Sequence, residues 1–109
     1  MQRMGMLIGI NPENILEYKA LHAAVWPQVL ATLQKANIRN YTIFLREPEN
    51  LLFGCWEYHG NDFDADMAQI GEDTETKRWW SICGPCQQPL ASRSEGEHWA
   101  MMETVFYMD

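Results

Sequence analysis

Tyr41-Thr42-Ile43-Phe44-Leu45, then Glu47-Pro48-Glu49-Asn50, then Leu51-Leu52-Phe53-Gly54-Cys55-Trp56-Glu57-Tyr58 lie in the middle of the chain. The outer two segments are rich in β-branched and aromatic residues, and the one between them carries turn formers. They read as a hairpin, and its flanks decide the fold. Upstream, Arg3 to Ile10 is β-prone and ends at Asn11-Pro12, where Asn11 is placed to cap a helix and Pro12 to open it. From Pro12 to about Asn37, Ile15, Leu16, Leu21, Val25, Val29, Leu30 and Leu33 recur at three- and four-residue steps, the pattern of one buried helical face. Pro27 interrupts that run and predicts a kink or restart near Trp26. Downstream, Gly60-Asn61-Asp62 ends the strand and can cap a helix carrying Phe63, Met67 and Ile70, with a second helical segment over roughly Thr74 to Ile82. Residues 84–97 hold two prolines and two glycines and read as a loop, and Trp99 to Tyr107 reads as a closing strand.

The order is β-α-β-β-α-β, an α+β, ferredoxin-like arrangement in which a four-stranded antiparallel sheet carries its helices on one face. Strands 41–45, 51–58 and 99–107 are apolar or aromatic at both alternating sets of positions, so neither sheet face suits bulk water. A second copy packed sheet to sheet would cover the exposed face. The expectation is a two-fold homodimer, a dimeric α/β barrel, with a partly enclosed cavity between helices, sheet and loop.

A length of 109 residues suits one domain, 1–109, large enough to fold without disulfides. The formal charge of -7 and the scatter of basic residues, with Lys77-Arg78 their only close pair, argue against a nucleic-acid partner. No apolar run approaches the roughly 20 residues of a membrane span, and the start of the chain does not read as a signal peptide, so no membrane partner and a cytoplasmic location are expected. Three cysteines, an odd number, fit a reducing compartment. Five Trp, four Tyr and four Phe exceed what a small core requires, which leaves rings to line a pocket or an interface.

Two constellations could carry chemistry. Cys83-Gly84-Pro85-Cys86, preceded by Trp79-Trp80, spells the redox motif of thioredoxins. In thioredoxins that motif opens a long helix early in the domain and lowers the first thiol's pKa, whereas here it follows a helix late in the chain and Gly84-Pro85 reads as a stop signal. A zinc site from Cys55, Cys83, Cys86 and a histidine lacks a second paired-ligand spacing. The other constellation is Tyr18, His22, Tyr41 and Trp79-Trp80. Tyr18 and His22 stand four residues apart and share a helix face, and Tyr41 opens the neighbouring strand. A histidine beside aromatic rings is more often a core residue than a catalyst, so spacing alone leaves both roles open. His59, at a strand end, and His98, in a loop, read as solvated, and Glu57 and Glu103 as edge charges or as polar groups aimed into a cavity.

The run Glu17-Tyr18-x-x-x-His22-x-x-Val25-Trp26-Pro27, with Asn40-Tyr41-x-Ile43-x-Leu45, Asn50-Leu51-Leu52-Phe53, Arg78-Trp79-Trp80 and Val105-Phe106-Tyr107, resembles the L-rhamnose mutarotase family, collinearly from about residue 5 to the last. The resemblance implies the dimeric α/β barrel fold and the interconversion of the α and β anomers of a 6-deoxy-L-sugar, with no cofactor and no metal. It further implies that His22 is the catalytic acid and that Tyr18, Tyr41, Trp79 and Trp80 bind the sugar. Those residue types suit the task. An imidazole titrates near neutrality, phenols donate or accept hydrogen bonds, and indoles present flat surfaces to a sugar's C–H face and methyl group. The chain departs from the family pattern at Leu21, where a basic residue is usual, and over Cys83 to Ser94, which replaces an Asn-Pro-Asp-Asn-Ser-like stretch; the loop 83–98 is expected to close the pocket. L-rhamnose is the first substrate expected and L-fucose the second. The rival classes are a non-enzymatic dimeric barrel that binds a ligand, since this fold hosts many functions, and a thioredoxin-like oxidoreductase using Cys83 and Cys86.

Overall fold

Strand β1 (Gln2–Ile10) runs through the middle of one antiparallel sheet with β3 (Leu51–Tyr58) along one edge, and β2 (Ile38–Arg46) continues the sheet beyond β3. Two short strands share the other edge of β1. β4 (Gln87–Gln88) pairs with Gly9 and Ile10, and β5 (Ala100–Met102) pairs with Gly5 to Leu7. The structure, a computed structural model, describes residues 1–109. Its helices are α1 (Ile15–His22), α2 (Pro27–Lys35), α3 (Phe63–Glu72) and α4 (Thr74–Cys83), and this is the ferredoxin-like α+β order. No helix is long and apolar enough to cross a membrane.

Alternation along the strands assigns the two faces. Met6, Ile8 and Ile10 of β1 and Leu52, Trp56 and Tyr58 of β3 are buried on one side, beneath all four helices. There they form two clusters. One joins Ile8, Ile10 and Leu52 to Ile15, Tyr18, Val29, Trp79, Cys83 and Cys86, and the other joins Met6, Ile38, Trp56 and Tyr58 to Ala36 and Ile70. Leu33 and Trp99 pack against both clusters and bridge them. The opposite face carries Leu7, Phe44, Phe53 and Cys55, with Phe44 57% and Phe53 41% exposed and their rings 6.4 Å apart.

Local chemistry accounts for the breaks between elements. Trp26 precedes proline and is therefore extended, at φ -60° and ψ 132°, so one helical run becomes α1 and α2. Asp62 caps α3 by accepting from the Ala65 amide, and Asp73 caps α4 by accepting from the Thr76 amide. Three non-glycine residues have positive φ, and all are asparagines: Asn37, Asn40 and Asn50. Asn40 sits at a β-bulge, where β2 has two residues, Asn40 and Tyr41, opposite Trp56 alone. The extra residue reverses the alternation, so Tyr41 joins Ile43 and Leu45 on the helix-covered face. Glu57 steadies the bulge, accepting from Asn40 Nδ2 at 3.1 Å, and also pairs with His59 at 2.9 Å.

Several boundaries differ from the sequence expectation. Asn11 stands at the N-cap position with Pro12 opening the turn, but its side chain makes no capping bond; its Nδ2 donates to the Pro85 carbonyl at 3.2 Å, and Pro12–Asn14 forms a 3-10 turn ahead of α1. Gly84 stays right-handed and carries α4 into a second 3-10 turn, Gly84–Cys86, instead of stopping it. The stretch expected as a loop contains β4. The closing strand is three residues long, not nine, because Val105 and Phe106 would need cover on both faces and the chain supplies none; residues 105–108 are exposed, with the Arg3 guanidinium 3.8 Å from the centre of the Tyr107 ring.

Gly9 permits β4 to approach β1. A Cβ there would stand 2.6 Å from the Gln88 carbonyl oxygen, a backbone atom with no freedom to move alone. Gly9→Ala is expected to force β4 outward and lower stability by about 1–3 kcal/mol, the range for overpacking. A urea midpoint equal to that of the parent protein would contradict this.

Candidate active site

Helix α1 lies across the sheet with Ile15, Tyr18, Lys19 and His22 over Ile10, Ile43, Leu45 and Leu52, and these eight residues line an open pocket of about 130 Å³. Most of its wall is apolar, and its polar atoms come from one helical turn. The i, i+4 spacing stacks the Tyr18 and His22 rings with centroids 4.1 Å apart and 27° between planes. Trp79 of α4 meets His22 edge-on at 5.3 Å and Trp26 at 5.2 Å, so the restart at Pro27 and the arrival of α4 together wall in the histidine.

His22 Nδ1 lies 2.9 Å from the Tyr18 carbonyl oxygen. A carbonyl only accepts, so Nδ1 carries the proton and Nε2 holds the lone pair of the neutral ring. Burial disfavours the charged imidazolium and lowers the pKa of His22 below the ordinary 6.5, with the bond to the Tyr18 carbonyl opposing in part. Tyr18 is buried, and desolvation raises its phenol well above the usual 10; a hydrogen bond from Gln87 partly offsets this, and the nearby Tyr41 phenol adds to the rise. Tyr41 is 40% exposed as a residue, yet its hydroxyl lies among protein atoms, and burial pushes its pKa up to about 12. At neutral pH the site therefore presents an uncharged imidazole beside uncharged phenols.

Of the residues singled out from sequence, Tyr18, His22 and Trp79 are in contact, and Tyr41 is close enough for its phenol to influence that of Tyr18. Trp80 lies apart from this ring cluster: consecutive helical residues diverge by a large angle, and Trp80 is 50% exposed while Trp79 is buried. Two further polar groups reach the site. Gln87 Nε2 donates to the Tyr18 hydroxyl at 3.1 Å, and His98 Nε2 lies 2.7 Å from Gln87 Oε1, so His98 has a protein partner where solvent was expected. No sequence motif marked either residue. The only signal for Gln87 was a pair of glutamines directly after a cysteine, and His98 carried none.

Cys83 and Cys86 are free and buried. Burial pushes Cys83 up to about 12 and Cys86 to about 11, with Glu17 Oε1, 3.3 Å from Cys86 Sγ, opposing the thiolate further. A redox motif needs the opposite shift, and this one closes a helix rather than opening it. No three His, Cys, Asp or Glu side chains gather at metal-ligand spacing.

The family model for L-rhamnose mutarotase matches residues 3–108. An L-rhamnose mutarotase of Oceanobacillus iheyensis is 30% identical over 109 residues, covering 100% of both chains. A crystal structure of an L-rhamnose mutarotase from Formosa agariphila, 22% identical, superposes with a TM-score of 0.78 over 100% of both chains. Tetracenomycin F2 cyclase from Streptomyces glaucescens, a type-II polyketide cyclase 15% identical, superposes at 0.72 over 100% of this chain and 98% of its own. At such identities the two structures speak to the fold alone. The family model and the full-length relative together establish that the chain belongs to the L-rhamnose mutarotase family, isomerases that interconvert sugar anomers.

Proposed function

We propose that this chain interconverts the α and β anomers of a 6-deoxy-L-hexose, L-rhamnose first and L-fucose second, by acid/base opening and reclosure of the ring. The observation that carries this reading is His22: its Nδ1 is committed to the Tyr18 carbonyl, its Nε2 has no protein partner, and it lines a small apolar pocket. In the opening direction Nε2 accepts the proton leaving the anomeric hydroxyl while the bond from C1 to the ring oxygen breaks and a hydroxyl partner gives that oxygen a proton. On reclosure at the opposite face the imidazolium returns that proton, so His22 is base and acid in turn. Because burial lowers its pKa, the neutral form predominates at pH 7 and the charged form is a strong enough acid to give the proton back. The apolar wall of Ile10, Ile15, Ile43, Leu45 and Leu52 suits a methyl group and C–H bonds. Tyr18, Tyr41 and Trp79 are the sugar-binding groups in this reading, and Trp80, exposed on the outer side of α4, would join them only from the rim.

The assembly that fits is a homodimer. Phe44 and Phe53 on the uncovered sheet face, with the apolar tail Val105 to Met108, support burial against a second copy. A cytoplasmic location, within a reducing compartment, accords with three free cysteines.

Saturation-transfer NMR is expected to report faster anomer exchange of L-rhamnose, L-fucose or both with the protein than without it, in buffer with chelator and no cofactor. His22→Ala should lower that exchange about 10²- to 10⁴-fold while the protein stays folded, the range for a general acid or base. Spontaneous rates for both sugars with the parent protein would remove the assignment.

The lowered pKa of His22 also sets a pH dependence. Below 6.5 the unfolded chain binds a proton that the folded one resists, so the stability His22 contributes is full above 6.5 and is lost as pH falls toward the folded-state value. The acid limb of the rate profile and the NMR midpoint of the His22 ring are both expected below 6.5. A midpoint above that value would contradict a neutral, desolvated base.

Sedimentation equilibrium at micromolar concentration should give a mass near twice 12.7 kDa. Phe44→Asp, which places a charge on the uncovered sheet face, should shift that mass toward the monomer or unfold the chain. A stable, active parent monomer would overturn the proposed assembly.

A further inference from the structure

Gln87 occupies an anchored position. It pairs with Ile10 as part of β4, and the residues just before it are tied to the end of β1, with the Asn11 amide donating to the Cys86 carbonyl at 2.9 Å and Asn11 Nδ2 to the Pro85 carbonyl at 3.2 Å. Its side chain joins two groups from different parts of the chain. Oε1 is 2.7 Å from His98 Nε2, and Nε2 is 3.1 Å from the Tyr18 hydroxyl. An amide has one accepting end and one donating end. With the oxygen held by an N–H of His98, the end facing Tyr18 must be the donor.

That direction has a consequence for the phenol. The Tyr18 oxygen accepts from Gln87, and no protein group takes its own proton, so the O–H is left for a molecule in the pocket that Tyr18 lines. His22, stacked 4.1 Å away, has the reverse polarity, with Nδ1–H used on a carbonyl and a lone pair free at Nε2. We infer that Gln87, held by His98, is a positioning residue that fixes Tyr18 as the hydrogen donor to the sugar's ring oxygen, opposite His22 as the acceptor for the anomeric hydroxyl. This assignment rests on the mutarotase reading above and names the second half of its acid/base pair.

The step balances. His22 Nε2 takes the proton of the anomeric hydroxyl, the electron pair of the bond from C1 to the ring oxygen passes to that oxygen, and Tyr18 protonates it. The products are the open aldehyde, an imidazolium and a phenolate, with opposite charges on stacked rings. After rotation about the bond from C1 to C2, the hydroxyl returns its proton to Tyr18 as its oxygen attacks C1, and the imidazolium reprotonates the carbonyl oxygen. Gln87 acts twice. It orients the phenol proton outward before the step, and its N–H stabilises the phenolate during it, since a donor to the charged form favours that form and Gln87 does lower the Tyr18 pKa against the effect of burial.

The test separates orientation from packing. Gln87→Glu keeps the size but can only accept, so Tyr18 would spend its proton on the new carboxylate; Gln87→Met keeps the length and removes both polar ends. Anomer exchange is expected to fall at least about tenfold in kcat for Gln87→Glu and severalfold for Gln87→Met, with little change in KM, because the lost interaction serves the reaction step rather than binding. In a Tyr18→Phe background neither substitution should lower kcat further, which is the coupling that a shared hydroxyl predicts. Losses that add to that of Tyr18→Phe, or parent-like exchange in Gln87→Glu, would overturn the assignment while leaving the mutarotase reading intact. Absence of exchange by the parent protein on both sugars would overturn the two together. A readout that needs neither activity nor a Gln87 variant is the Gln87 side-chain NH2 resonance, expected to shift in both Tyr18→Phe and His98→Ala. A resonance unmoved by either change would also overturn the proposal.

Discussion

Met6, Ile8 and Ile10 lie on one face of a strand that has neighbours on both edges, and their burial determines where every other element can sit. An edge strand can slip; a strand paired on both sides cannot move by one residue without turning its whole apolar set out to water. Once β1 is fixed, the helices have only one side to cover, and Ile10 is at once a core residue and part of the pocket wall. The residue that pairs with Ile10 across the edge is Gln87, so the site's polar support is attached to the best-buried stretch of backbone in the chain. Rigidity around Tyr18 and Gln87 thus follows from the core and needs no separate device.

The electrostatics of the pocket suit a reaction that begins and ends with neutral partners. Burial works against an imidazolium at His22 and against phenolates at Tyr18 and Tyr41, so the resting site carries no charge of its own on these groups. Charges that arise together on neighbouring rings attract each other more strongly in such surroundings than in water. A permanent single ion there would be costly, and attraction between two opposite charges offsets part of the desolvation that each would suffer alone. The thiols beside the pocket follow the same rule. Cys83 and Cys86 remain protonated and serve as compact apolar groups against α1.

Much of the architecture was legible in the residues because local and long-range signals agreed. Pro27 marked the restart of the helix, the apolar and aromatic run 51–58 after a turn-forming stretch marked the second strand of a hairpin, and the spacing of Tyr18 and His22 placed two rings on one helical face. What was hidden depended on pairing between distant segments. The bulge at Asn40 and Tyr41 is a matter of register against β3, and the reversal that brings Tyr41 to the helix side cannot be counted from β2 alone. β4 is too short to have a period, and its place is set by Gly9, an absence of side chain on another strand. Trp79 and Trp80 looked equivalent in the string, yet helical geometry buries one and exposes the other. The apolar character of residues 99–107 suggested a strand throughout, but only Ala100 to Met102 pair with β1, and residues 105–108 are exposed.

The three asparagines at positive φ do more than tolerate an unusual backbone. Glycine reaches those angles with less strain, but two of the asparagine side chains hold their turns to the rest of the protein: Asn37 Nδ2 donates to Asp66 at 3.0 Å and Asn40 Nδ2 to Glu57 at 3.1 Å, while at Asn50 the main-chain carbonyl accepts from the Ile10 amide at 3.0 Å. A side chain also restricts the unfolded chain, which leaves less conformational freedom to surrender on folding. Glycines at Asn37 and Asn40 would relieve the folded backbone and still leave a looser protein, because the freedom gained would belong to the denatured ensemble and the clamps to Asp66 and Glu57 would be gone. The left-handed turns in this chain are thus points of attachment rather than points of flexibility.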